Sequence, residues 1–80
     1  MIIKLSQYYY VYILQSIKDG LFYTGYSNNL NKRIQKHNNG QVASTKNRLP
    51  MILFNWEGCL NQQDATGREK YLKSTWGKGI

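Results

Sequence analysis

The chain has 80 residues, 41% hydrophobic and 14% aromatic, and eleven Lys and Arg against four Asp and Glu leave a formal charge of +7. One domain spanning residues 1–80 is expected, with a core limited to about 60–65% of the unfolded surface, and the seven tyrosines exclude a disordered tail. The lone Cys59 excludes an internal disulfide or a cysteine zinc site, and no run of 18 apolar residues suits a membrane span.

The first segment, "MIIKLSQ", has too short an apolar run for a signal peptide, so a cytoplasmic location is expected. Next, "YYYVYILQ" (Tyr8 to Gln15) is β-branched and aromatic on both alternating sets, which predicts a central strand covered on both faces. "SIKDG" ends in Asp19-Gly20 and reads as a turn, and "LFYTGY" as the returning strand of a hairpin. Gly25 within that strand marks a bulge or a close approach. Asn28 or Asn29 caps a helix from Leu30 to Asn38, closed by Asn39-Gly40. "QVASTKNRL" is a basic, polar loop. Pro50 opens a third strand, "PMILFNWEGC", in which Cys59 is expected to be a small buried hydrophobe. A second helix starts at Asn61 or Gln62 and runs to about Trp76, weakened by Gly67. The order β-β-α-β-α predicts an α+β fold: a three-stranded, mainly antiparallel sheet packed with helices.

Helical spacing puts polar residues where apolar ones belong. Leu30, Ile34 and His37 share one stripe of the first helix, with Arg33 beside it and one turn from His37. In the second helix Ala65, Glu69, Leu72 and Trp76 fall on one face, which sets a carboxylate on an apolar stripe. An ionised carboxylate there needs a cation. Either Glu69 forms a structural ion pair with Arg33, or it reaches water at an edge, or it serves chemistry. Tyr12 and Tyr23 lie on the two hairpin strands within a few residues of each other. Two tyrosines, an arginine, a histidine and one carboxylate can position a phosphate, accept a proton and hold one divalent metal. The spread of Lys and Arg along a folded domain fits a polyanion, most commonly nucleic acid, and Lys32, Lys36, Lys46 and Arg48 are the candidate phosphate contacts.

The pattern Tyr10-Val11-Tyr12, ten residues, then Tyr23-Thr24-Gly25 resembles the two-part signature of the GIY-YIG endonuclease superfamily. "GYSNNLNKRIQKHNNG" is similar to the segment that follows it there, ending at Arg33 with His37 one turn on. "STKNRLP" and "DATGREKYLKSTWGKG" are similar to the later blocks of small stand-alone bacterial members, which resemble the nuclease domain of the DNA-repair excinuclease. The resemblance runs from about Tyr8 to Gly79. It implies a divalent-metal-dependent phosphodiesterase (Mg or Mn), with DNA rather than RNA the expected substrate, and the small surface of the domain predicts low sequence specificity. One of Tyr12 and Tyr23 would help deprotonate water, assisted by His37; Arg33 would stabilise phosphate charge and Glu69 would bind the metal. A phenol near pKa 10 serves as a base at neutral pH only if neighbouring cations lower it, so Arg33 and the metal are expected to do so. A catalytically weak or inactive nucleic-acid-binding module, and a bare structural domain awaiting a partner, are the rival readings; a protein partner for targeting is open to the nuclease.

Overall fold

The computed structural model describes residues 8–76, and side chains through residue 74. Its elements are β1 (Tyr9–Ser16), β2 (Phe22–Ser27), α1 (Leu30–Asn38), β3 (Met51–Cys59) and α2 (Gln62–Trp76). All three strands pair antiparallel in the order β2-β1-β3, so the α+β expectation holds.

β1 is central because it has no polar face to give to water: Val11, Tyr12, Ile13 and Leu14 are all buried. Val11 and Ile13 pack with Ala65 and Leu72 of α2 on one face. Tyr12 and Leu14 pack on the other with Met51, Tyr23, and Leu30 and Ile34 of α1. The two helices therefore cover opposite faces of one thin sheet. Cys59 is only partly buried at the margin of the α2 side.

The hairpin closes as the Asp-Gly signal requires. Gly20 takes φ +74°, and the Asp19 carboxylate accepts from the Leu21 amide at 2.9 Å. Arg48 donates to the same carboxylate at 2.7 Å, and that hydrogen bond is the main cause of an Asp19 pKa lowered to about 2. Ser16 Oγ donates to the Arg48 carbonyl at 2.6 Å, which ties the 39–50 loop to the turn.

Asn29 caps α1, its side chain accepting from the Lys32 amide at 3.2 Å. At the other end, the Asn38 amide group exchanges two hydrogen bonds with the Met51 backbone, at 2.8 and 2.9 Å. That side chain pins the helix to the start of β3 and fixes the loop between them. In β3 the ladder passes from Ile13 opposite Asn55 to Leu14 opposite Leu53, leaving Phe54 in a bulge.

Candidate active site

Register decides the site. Tyr12 stands opposite Gly25 on β2 and opposite Trp56 on β3, so its ring rises from the middle of the sheet toward α1. A Cβ on residue 25 would lie 2.5 Å from the Tyr12 hydroxyl and 2.7 Å from Cζ. Glycine is therefore required for the phenol to sit there, which answers the choice between a bulge and a close approach.

The Tyr12 hydroxyl lies 2.9 Å from His37 Nε2 and 3.3 Å from Arg33 Nε. His37 Nδ1 lies 2.7 Å from Thr45 Oγ1. Burial, with Arg33 nearby adding to it, lowers the His37 pKa to about 4, so the ring is neutral near pH 7. One arrangement of protons satisfies all three contacts. Arg33 Nε–H donates to the phenol oxygen, the phenol donates to His37 Nε2, and His37 Nδ1–H donates to Thr45 Oγ1. His37 and Thr45 have no exposed surface, and neither does Tyr12.

The expectation that cations lower the Tyr12 pKa meets a correction. Burial is the larger influence and raises it; the hydrogen bond from Arg33 lowers it only in part, while Tyr23 and Glu69 raise it further. The Arg33 guanidinium is in turn held more firmly charged, chiefly by its hydrogen bond to Tyr12.

Tyr23 completes the wall around the imidazole, its ring centroid 5.1 Å from that of His37. Glu69 approaches from α2. Its carboxylate, 17% exposed, pairs with Lys73 at 3.2 Å and not with Arg33, so the structural Arg33–Glu69 pair is not formed. Lys73 Nζ also stands 6.0 Å from the Tyr23 ring centroid. Tyr12, Tyr23, Arg33 and His37 thus come from three elements to one cluster, and Glu69 of α2 lies near enough for its charge to act on Tyr12. Ala65 and Leu72 share the α2 face of Glu69 as expected; the Trp76 side chain lies outside the described residues.

Of the basic candidates, Lys32 and Lys36 line a groove of about 180 Å³ with Arg33, Ser27, Asn28 and Asn29. Lys46 is exposed on the loop, and Arg48 is engaged by Asp19; neither lines that groove. Two residues of the site were missed from the sequence. Thr45 gives no local signal, since only the loop's path brings it to His37. Lys73 was visible as the i+4 partner of Glu69. Among the described residues no three His, Cys, Asp or Glu converge on one point. Glu69 alone suits a Mg²⁺ or Mn²⁺ ion, because such ions take one or two carboxylates and complete their shells with water and phosphate oxygens.

A family model, GIY-YIG catalytic domain, matches residues 8–79. The chain is 49% identical over 65 residues to a UPF0213 protein of Clostridium perfringens, covering 80% of this chain and 69% of that one. It is 45% identical over 67 residues to a UPF0213 protein of Staphylococcus saprophyticus, covering 82% and 80%. A UPF0213 protein of Haloquadratum walsbyi is 35% identical over 71 residues, covering 88% and 79%. No solved structure matches.

Proposed function

The chain belongs to the GIY-YIG catalytic domain family, and on that premise we propose that it is an endonuclease hydrolysing phosphodiester bonds in DNA with little sequence preference. The observation that carries this reading is the chain of hydrogen bonds from Arg33 through Tyr12 and His37 to Thr45, beginning at a basic groove. A phosphate in that groove meets Arg33, Lys32 and Lys36. Arg33 then turns from the phenol to the phosphate and uncovers the Tyr12 oxygen. That oxygen takes a proton from water as its own proton passes to His37 Nε2. Tyr12 stays neutral throughout and the proton rests on His37, whose charged form burial and Arg33 disfavour and a phosphate anion in the groove would favour. Thr45 holds the imidazole in the tautomer that leaves Nε2 free to accept, and the Tyr23 ring keeps it in place. Glu69, released from Lys73, would hold a divalent metal, Mg²⁺ or Mn²⁺, which supplies charge stabilisation at the phosphate and leaving oxygens.

The second reading is a binding module with a dormant site. It is favoured by the full enclosure of Tyr12 and by the pairing of Lys73 with Glu69. Incubation of supercoiled, branched and single-stranded DNA with Mg²⁺, Mn²⁺ or neither separates the two. Metal-dependent cleavage by the natural chain, absent in Glu69→Gln, is expected. Binding without cleavage in any of these mixtures would establish the dormant module instead. Among the described residues no helix is long and apolar enough to cross a membrane; a cytoplasmic role in DNA repair, with a partner protein for targeting, is part of the same proposal.

A further inference from the structure

The face of the sheet that carries Tyr12 continues past it. Tyr10 is two residues earlier on β1, and Trp56 is opposite Tyr12 on β3, so both side chains rise on that same face. Their rings meet edge to face with centroids 5.7 Å apart and planes at 66°. Tyr10 is half-buried, with the Tyr8 ring centroid 6.4 Å from its own, whereas Trp56 is 51% exposed. Together with Leu30 and Leu53 they floor an open groove of about 480 Å³, within the ~300–1,000 Å³ typical of small-ligand sites. Its rim carries Asn28 and Asn31, whose side-chain amides have no hydrogen-bond partner among the described residues. Asn28 also lines the basic groove with Lys32, Arg33 and Lys36. An aromatic corner and a phosphate-sized basic groove thus adjoin, sharing a wall.

We propose that this aromatic groove is a nucleobase subsite, holding one unpaired base stacked on Trp56 while its phosphate lies at Arg33. The proposal rests on the nucleic-acid reading above and adds what that reading lacks, a preference for strand that is single or locally unpaired. Every base has a π-face, so stacking tolerates any sequence. Amide groups such as those of Asn28 and Asn31 offer both a donor and an acceptor to the edge that base pairing would otherwise occupy. A base inside a duplex cannot reach the corner. A second copy of the chain is a poorer occupant, because the groove opens onto Lys32, Arg33 and Lys36 of a molecule already at +7.

The test is metal-free binding, read by anisotropy, of two labelled strands of equal length: a short deoxythymidine oligomer and its abasic deoxyribose-phosphate counterpart. The oligomer should bind at least about tenfold more tightly and quench tryptophan emission. Trp56→Ala, with folding checked by circular dichroism, should abolish the quench and the tenfold advantage while leaving abasic binding unchanged. Asn31→Ala should narrow differences among the four homo-oligomers. Equal affinities for the two strands in the natural protein would overturn the subsite and leave the nucleic-acid reading standing. Failure to bind either strand would overturn both. Sedimentation as a dimer that Trp56→Ala converts to monomer would assign the groove to a second copy and overturn the proposal as well.

Discussion

His37 carries an ordinary pKa of 6.5 in the unfolded chain and about 4 in the folded one, because burial opposes its charge. Below pH 6.5 the unfolded chain binds a proton that the folded chain refuses until about pH 4. Stability therefore rises with pH across that window, and the penalty, up to ~3 kcal/mol, is complete below it. The melting temperature should fall as pH is lowered from 7 to 4, and His37→Gln should flatten that slope. Asp19 acts in a separate window, since its stabilising pairing with Arg48 is lost only as pH drops from 3.8 through about 2. On the nuclease reading Arg33 serves both binding and chemistry, and steady-state kinetics with a filter-binding assay would separate the two. Arg33→Ala should lower kcat by ~10²–10³ with little change in DNA affinity. Arg33→Lys should restore little, because an ammonium lacks the forked donors that fit a phosphate. Equal losses in affinity and turnover would reduce Arg33 to one charge among several.

Among the elements, the β1–β2 hairpin is the most exacting. Tyr12 has no exposed surface and nowhere to retreat, so a Gly25→Ala methyl must displace the phenol from His37 or push the strands apart. A loss of ~1–3 kcal/mol in denaturant unfolding is expected, with activity falling further than stability explains. In α2 the outcome is the reverse. Glu69 pairs with exposed Lys73 on its own helix rather than with Arg33, so Glu69→Gln should leave the melting temperature level or raise it while abolishing cleavage and Mn²⁺ binding. A large fall in stability with metal binding intact would remove Glu69 from the chemistry. These elements also mark how far the sequence could be read. α1 was legible to the residue, because an asparagine cap and an Asn-Gly stop are local chemistry. The polar stripe of Arg33 and His37 was legible from spacing alone. Which residue faces Tyr12 was not: hairpin register and the β3 bulge at Phe54 arise from pairing across the sheet. Thr45 was hidden for the same reason, since Ser16, Arg48 and Asn38 together route its loop. Burial reversed the expected direction of the Tyr12 pKa, and burial is a property of the packed whole.

For the whole molecule, charge sets the first encounter. Eleven cationic residues on 80 leave +7, and Lys32, Arg33 and Lys36 concentrate part of it on one groove. Affinity for short DNA should fall steeply with salt, by ~0.7–0.9 log units per log unit of salt for each phosphate neutralised. A salt-independent affinity would count against nucleic acid as the partner. On the nucleic-acid reading, so small a surface should restrict base readout and let phosphate contacts dominate.

The pairing of Tyr12 with Gly25 reaches beyond geometry. Strand side chains alternate, so a slip of one residue in the hairpin would turn Tyr12 away from α1 and set Val11 or Ile13 in its place. Such a chain could still collapse around its apolar strands, yet it would hold no phenol against the imidazole. On the nuclease reading, chains newly made or damaged by heat are harmless to the genome around them until the hairpin has found its single register. The fold then acts as its own safety catch.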